Sequence, residues 1–338
     1  MHTHPGIGRY IRELTAHFPE DQSFSFRFIK EPVPIYSWQE QLAIPHLAKG
    51  GDLLHVPHFN IPFFWPGKLV VTIHDLIYLT YPKTARSRWA PASMRLFMEV
   101  VSRKASAILT VSEFTKKELL RLFPRIKPDR VVVTHEAVSE DFQPMDASDV
   151  LLRRIQARLE LYGPFVLFVG SLKPHKNLPG LINAMEALKR SSRIPHSLIV
   201  AGRIEGADEE LRRLLKTHSF IRCLGEVSDE ELRALYSLAT VFVLPSHFEG
   251  FGLPVLEAMA CGCPVIVSNA ASLPEVAGEA GILFDLRHID ALNAVLYNVL
   301  TDQNLRNSMK KKGLEQIQKF SWTKTARQTL EVYQKVCQ

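Results

Sequence analysis

Cysteine is scarce in this sequence. Four occur among 338 residues, Cys223, Cys261, Cys263 and Cys337, without the spacing of a disulfide framework or a zinc site. A reducing, cytoplasmic compartment is therefore expected. Long apolar runs are missing as well: no stretch approaches the roughly 18 residues of a spanning helix, and the N-terminus lacks an apolar signal segment. Any membrane contact is expected to be peripheral, at the inner face. Charge of one sign is in short supply too. Lys and Arg number 41 against 35 Asp and Glu, a net charge of +6, which suits an anionic ligand or a membrane surface. It is not the clustered surplus of a nucleic-acid binder. Basic runs such as Lys310 to Lys312 and Arg153-Arg154 read as solvated helix faces.

What the chain does have is 46% hydrophobic residues, enough to fill two cores at this length. Short β-branched runs alternate with longer helical patterns, the sign of parallel sheets built from βα units. One set comprises FSFRFI (24–29), DLLHV (52–56), KLVVTI (68–73), AILTV (107–111) and RVVVT (130–134). Another comprises FVLFVG (165–170), SLIVAG (197–202), IRCLG (221–225), VFVLP (241–245), PVIVS (264–268) and GILFD (281–285). A polar connection with a helix separates them, placing a boundary near residue 145: an N-terminal domain over 1–145 and a C-terminal domain over 146–338. Ligands of such sheets bind outside the carboxyl ends of the strands, so two facing domains would form a cleft lined by loops from both.

Four loops could carry chemistry. PGIGRYIREL (5–14) leads a glycine pair into a helix, where free N–H groups favour a phosphate. As a dinucleotide fingerprint it fails, because Ile11 replaces the third glycine and only five residues precede Gly6. A plain turn and helix is the alternative. VVTIHDLIY (70–78) ends a strand with His74, placed for a hydrogen bond to a ligand or for one within the fold. FVGSLKPHKNL (168–178) supplies Lys173, His175 and Lys176 after a tight exit at Gly170, a cationic loop that could neutralise a diphosphate; solvated surface lysines are the alternative. HFEGFGLPVLEAMACGCPVI (247–266) holds Glu249 and Glu257 on either side of a glycine-rich turn. Each alone could serve a helix terminus. Together they could hold two hydroxyl-rich parts of one ligand, with the N–H groups of Phe251, Gly252 and Leu253 between them. His55 and His58 in HVPH offer a weak metal pair with no third ligand apparent.

At these residues the chain resembles family 4 of the retaining glycosyltransferases, in particular its bacterial mannosyltransferase-like members. The resemblance rests on PSHFEGFGLPVLEAMACGCPVI, VGSLKPHKNL, LGEVSDEELRALYSLA, TIHDL and TVSEFTKKEL, in the family's order, and extends to the terminal FSWTKTARQTLEVYQKV. It implies an α/β GT-B architecture, two facing Rossmann-like domains with parallel sheets, whose second domain binds a nucleotide-sugar donor and whose first faces the acceptor. The terminal helix would pack back on the first domain. Carried over by residue, Glu257 matches the glutamate that binds donor ribose hydroxyls and Glu249 the one facing the transferred sugar. Lys176 matches the diphosphate lysine, and Phe251, Gly252 and Leu253 the backbone touching sugar and phosphate. Gly8 matches the first-domain phosphate loop, His74 the histidine beside the sugar, and Val227, after Gly225, the segment meeting the base.

The chain departs from the family at three places. Ser171 stands where many relatives have Arg, shifting diphosphate charge onto Lys176 and Lys173. His135-Glu136 stands where Asn-Gly is common, in a connection that reads as tolerant. The strand expected before GIGRY is missing, so either the start is internal to the natural reading frame or the first sheet lacks a strand.

The activity implied is hexosyl transfer, mannosyl by analogy, from a GDP- or UDP-linked sugar to a hydroxyl of a glycan or lipid-linked acceptor, with retention. No Asp-x-Asp triplet is present, so no metal or other cofactor is expected; Lys176, Gly8 and helix-terminal amides would steady the departing diphosphate. Acceptor choice falls to loops such as HVPHFNIPFFWPG (55–67), and the mixed segment 84–104 could lie on an anionic membrane or pack in its own domain. A catalytically inactive sugar-nucleotide-binding or scaffold protein remains a competing reading. A nicotinamide-dependent oxidoreductase needs a fingerprint that this chain lacks and leaves the glutamate pair unexplained.

Overall fold

A computed structural model describes residues 5–19, 24–29, 37–82, 87–203 and 206–338. The chain forms two compact units, Met1–Glu136 with Ser321–Gln338, and Ala137–Phe320. Both are built on parallel sheets.

Unit 1 holds β1 (Leu53–Val56), β2 (Lys68–Ile73), β3 (Ala107–Thr110) and β4 (Val131–Val133), hydrogen-bonded in the order β1-β2-β3-β4. Its helices are α1 (Pro5–Ala16), α2 (Trp38–Leu47), α3 (Ile77–Thr80), α4 (Ala90–Lys104) and α5 (Glu113–Leu122). The registers pair Val56 with Val71, Ile73 with Thr110 and Thr110 with Val133. All the strands thus end along one edge, and the loops carrying Pro57, His74, Ser112 and Glu136 leave from it. β2 is buried from Leu69 to Ile73, as a central parallel strand covered on both faces must be. α5 starts where Ser112 Oγ accepts the Thr115 N–H, with Glu113 in the first turn complementing the helix dipole.

Unit 2 holds β5 (Phe165–Val169), β6 (Ser197–Ala201), β7 (Ile221–Gly225), β8 (Val241–Leu244), β9 (Val265–Ser268) and β10 (Ile282–Phe284). Its helices are α6 (Val150–Arg158), α7 (Leu178–Ser192), α8 (Glu209–Thr217), α9 (Asp229–Leu238), α10 (Leu253–Ala260), α11 (Leu273–Ala277), α12 (Ile289–Thr301) and α13 (Gln303–Gln316). The sheet order is β7-β6-β5-β8-β9-β10, which counted from β5 is the doubly wound order 3-2-1-4-5-6. The order reverses between β5 and β8, and the crevice at such a reversal is where ligands of this sheet type bind. α9 opens with a full capping box: Ser228 Oγ accepts from Glu231 N–H, and the Glu231 carboxylate accepts from Ser228 N–H.

Past Phe320 the chain returns to unit 1 as α14 (Trp322–Cys337), capped by Ser321. Leu330, Val332 and Tyr333 join a core with Val70, Ala107 and Leu109. The other division falls at Glu136, nine residues before the expected boundary at 145, because the connection packs on unit 2. Met145 N–H donates to Ser237 Oγ at 3.1 Å, and Phe142 lies edge-on to Tyr236.

FSFRFI (24–29) is not a strand. Phe24 and Phe26 serve aromatic packing instead, while Phe28 is exposed. Phe24 joins the core around Tyr333, and Phe26 stacks on Phe18 with ring centroids 4.6 Å apart. A period of two meets the demands of such a stack as well as those of a pleated strand, which is why the pattern misleads.

Candidate functional site

Three neighbouring strands of unit 2 exit through glycines in conformations that favour glycine: Gly170 after β5 (φ +147°), Gly202 after β6 (φ +136°) and Gly225 at the end of β7 (φ +74°). Gly170 N–H donates to Ala201 O at 2.9 Å and Gly202 N–H to Gly225 O at 2.7 Å. A Cβ on Gly202 would sit 2.1 Å from Gly170 O, so the strand ends approach more closely than any side chain would permit. The Lys176 stem passes over Gly170, its Cε 3.7 Å from where a Cβ would be, an ordinary contact.

Lys176 closes the turn Pro174–Lys176, and the next residue, Asn177, is left-handed at φ +52°. Its Nζ donates to both carboxylate oxygens of Glu249, at 2.6 and 2.9 Å. The side chains are only 13% and 11% exposed. Ser246 Oγ donates to Glu249 Oε1 at 2.6 Å. The loops after β5 and β8 are further tied by His247 N–H donating to His175 O at 2.7 Å. The two sequence-predicted residues thus meet at the strand-order reversal, one on each side of it.

The turn following Glu249 is fixed from beneath. Ser272 Oγ is placed to donate to Glu249 O at 3.0 Å and Phe251 O at 2.6 Å. Gly252 takes φ +104°, with Leu273 2.8 Å from where its Cβ would be, so it is glycine for both conformational and steric reasons. Leu253 and Pro254 then begin α10, Pro254 sitting where a helix needs no N–H. Glu257 is 3% exposed inside α10, and Tyr236 Oη donates to its Oε2 at 3.1 Å. Burial, followed by the charge of Glu257, raises the Tyr236 pKa well above the ordinary phenol value. The phenol therefore stays a donor to a carboxylate that would be costly to bury alone.

Ser171 and Lys173 are half-buried between β5 and the lysine turn. His175 is buried, and its pKa falls to about 3, first through burial and then through the charges of Lys176 and Lys173. It is a neutral ring among cations. Val227 is half-buried between Ser228, the cap of α9, and Glu226, which pairs with Arg203.

Gly8 and His74 belong to unit 1. Gly8 lies within α1, where the sequence reading placed a phosphate loop. His74, just past β2, has Nδ1 3.1 Å from Glu136 Oε1 and Nε2 3.1 Å from Pro57 O. Tyr10 of α1 sets its ring edge-on to the imidazole, centroids 4.8 Å apart. His55 and His58 do not converge: His55 bonds Tyr333 and Thr72, whereas His58 bonds Asn60. In the loop 55–67, Phe59, Ile61 and Trp65 are core residues, while Phe64 is exposed. Residues 84–86 of the mixed basic segment lie outside the described residues; the rest forms α4, with Met94, Phe97, Met98 and Val101 buried and Trp89 and Leu96 exposed beside it.

Sequence reasoning missed Gly202, Ser246, Ser272, Tyr236 and Glu136. Gly202 carried a signal, since each of FVLFVG, SLIVAG and IRCLG ends in glycine. Ser246, three residues before Glu249, carried a signal by spacing alone, whereas Ser272 and Tyr236 carried none, because only the fold brings them to the glutamates. Glu136, read as part of a tolerant connection, is engaged with His74.

Residues 154–316 match the profile of the glycosyl transferases group 1, and residues 12–142 that of glycosyltransferase family 4. The chain is 37% identical to O-antigen chain mannosyltransferase B of Escherichia coli, over 83% of this chain and 74% of that one. It is 31% identical to the serotype-specific mannosyltransferase WbdA of Escherichia coli over 84% of its own length, but spans only 35% of that longer protein. Among solved structures, Anabaena HepE in complex with UDP-glucose superposes with a TM-score of 0.74 at 17% identity, over 87% of this chain and 82% of that one. The paired parallel sheets are those of the GT-B fold, and the chain belongs to the group 1, family 4 glycosyltransferases.

Proposed function

We propose that the protein transfers a hexosyl group, specifically mannosyl, from a nucleotide diphosphate sugar to a hydroxyl of a glycan or lipid-linked acceptor in cell-envelope polysaccharide synthesis. Transfer proceeds with retention of anomeric configuration and without a metal. The observation that carries this reading is the meeting of Lys176 and Glu249 at the strand-order reversal of unit 2. A cation for the diphosphate and a carboxylate for the sugar hydroxyls then stand side by side, where a doubly wound sheet binds its ligand. The mannosyl choice is supported by the named activity of the relative from Escherichia coli. GDP fits that choice, and UDP is the alternative nucleotide, the one carried by the UDP-glucose bound to HepE.

In the reaction the bond from the anomeric carbon to the diphosphate oxygen breaks, and the acceptor oxygen forms its bond to the same face. The acceptor proton passes to the departing phosphate. Lys176, with Lys173 and the N–H groups opening α10, offsets the charge growing on the diphosphate. Glu249 orients the sugar, Glu257 takes the ribose hydroxyls, and the segment Gly225–Val227 meets the base. His74 is the histidine assigned to the transferred sugar. A peripheral contact with the inner face of a membrane is supported by Trp89 and Leu96, exposed near Arg88, Arg95, Arg103 and Lys104. No described helix is long and apolar enough to cross a membrane.

Nucleotide release and glycan product are to be followed with GDP-mannose, UDP-glucose and UDP-galactose in the presence of membrane acceptor. Turnover with GDP-mannose, lost in Glu249→Gln and Lys176→Ala and insensitive to chelator, is expected. Binding of the nucleotide sugar without turnover would favour the scaffold reading.

A further inference from the structure

The half-buried contact at the end of the unit 1 sheet is not explained by donor binding in unit 2. Glu136 lies three residues beyond β4, and His74 one residue beyond β2, with β3 between them in the sheet. The Glu136 carboxylate reaches past the end of β3 to Nδ1 of His74 at 3.1 Å, and the side chains are 12% and 16% exposed. The opposite ring nitrogen faces Pro57 O at 3.1 Å. A carboxylate and a peptide carbonyl only accept. Both contacts are hydrogen bonds only if both ring nitrogens carry protons.

The ring has little freedom to turn away from this arrangement. Tyr10 is buried against it at 89° between ring planes, and its hydroxyl is held by Thr72 Oγ1 at 3.1 Å. Thr115 Oγ1 donates to His74 O at 3.4 Å, fixing the backbone below the ring. A surface ion pair would be loosely held and screened, whereas this pair sits among buried groups, where a charge-assisted bond is stronger. His55, on β1 and bonded to the same Thr72, has its pKa pushed down to about 3 by burial and then by the charge of His74.

We propose that Glu136 is a positioning residue for the transfer reaction: its carboxylate pairs with a doubly protonated His74 ring, accepting from Nδ1–H while Nε2–H stands as a charged donor at the carboxyl end of β2. The Pro57 carbonyl occupies the direction in which that donor points, and a sugar hydroxyl could replace it. The role rests on reading His74 as the sugar-facing histidine. It gives His135-Glu136 a function in place of the common Asn-Gly, since glycine has no side chain to reach the ring.

Steady-state kinetics with GDP-mannose and membrane acceptor are to be compared for the wild type, Glu136→Ala and Glu136→Gln, with long-range ¹H–¹⁵N NMR of the imidazoles in the same proteins. His74 is assigned from the signal lost in His74→Ala. Loss of a charge-assisted hydrogen bond predicts a kcat about 10- to 100-fold lower in Glu136→Ala, with the donor KM within about threefold because the ring keeps Nε2–H as a neutral donor and the donor's contacts in unit 2 are untouched. Glu136→Gln, whose amide oxygen still accepts from Nδ1–H, is expected to recover most of that loss. In NMR, Nδ1 of His74 is protonated in the wild type and in the glutamine variant, and loses its proton in the alanine variant. An unprotonated Nδ1 in the wild type, an alanine variant with wild-type kcat, or a glutamine variant as impaired as alanine would each overturn the proposal. If no donor supports turnover, the transfer reading fails, while the NMR comparison still decides whether Glu136 holds His74.

Discussion

Replacing Lys176 by methionine removes the cation and keeps most of the aliphatic stem. Glu249 would then be a carboxylate 11% exposed that still accepts from Ser246 Oγ at 2.6 Å. Breaking a buried ion pair from one side costs about 3–5 kcal/mol, whereas an exposed pair is worth about 1 kcal/mol or less. The low exposure of both side chains places this pair near the buried limit. The retained serine bond brings the expected loss to about 3 kcal/mol. Adding Glu249→Gln removes the stranded charge and keeps an acceptor for Ser246, so the double variant should be more stable than Lys176→Met alone. Urea unfolding followed at unit 2, by hydrogen exchange of the β5 and β8 amides, gives the three values and their coupling. A Lys176→Met loss under about 1 kcal/mol, or a double variant that simply adds the two single losses, would refute the view of a desolvated pair.

Gly202→Ala is expected to be among the most damaging single-methyl changes, since its Cβ would fall 2.1 Å from Gly170 O at φ +136°; circular dichroism melting should show a large drop, and nucleotide binding should weaken with it. Tyr236→Phe leaves the buried Glu257 without its phenol donor, so a loss of about 1–3 kcal/mol in stability and weaker nucleotide binding by calorimetry are expected. Acid should destabilise both units through their buried histidines. His55 in unit 1 and His175 in unit 2 have folded pKa values lowered to about 3, and His196 to about 4. Between those values and the unfolded value of about 6.5 the unfolded chain binds more protons, so stability is full above pH 6.5 and falls as pH drops through that window. At pH 5 each such histidine costs roughly 2 kcal/mol, and His175→Asn should flatten the unit 2 slope in urea titrations at pH 7, 6 and 5.

The strands of unit 2 were readable because a buried parallel strand has to be a short run of β-branched and aliphatic residues, and VFVL or FVLFV can be little else between polar helices. FSFRFI was misread for the converse reason: alternation of apolar residues does not show that a hydrogen-bonded neighbour exists, and here Phe26 and Phe28 stay exposed. The glutamates stood out because a glycine-rich turn separates them, a local feature. The lysine loop stood out as three basic or ring nitrogens after a strand. Ser272 and Tyr236 were invisible, since their positions relative to Glu249 and Glu257 follow from strand order and helix packing rather than from spacing; Ser246, three residues before Glu249 in the same loop, was legible by spacing and passed over. Glu136 was legible only as a departure from a familiar pattern, and the contact that gives it meaning spans 62 positions.

The strand order also changes how the two best-marked residues should be interpreted. Lys176 and Glu249 are 73 positions apart, yet they adjoin because β5 and β8 are neighbours where the winding reverses. Ser246 fixes the Glu249 carboxylate and Ser272 its carbonyl. Glu249 in turn fixes the ammonium through two bonds. Lysine on its own is a flexible point charge, so its aim over Gly170 depends on the glutamate. With the roles proposed above, a Glu249 variant would lose a sugar contact and also release the Lys176 ammonium from its position. Residues that act as such a unit give grossly non-additive losses. Removing Lys176 after Glu249 should cost far less than removing it first, and the kinetic effect of either residue cannot be divided into a sugar part and a phosphate part.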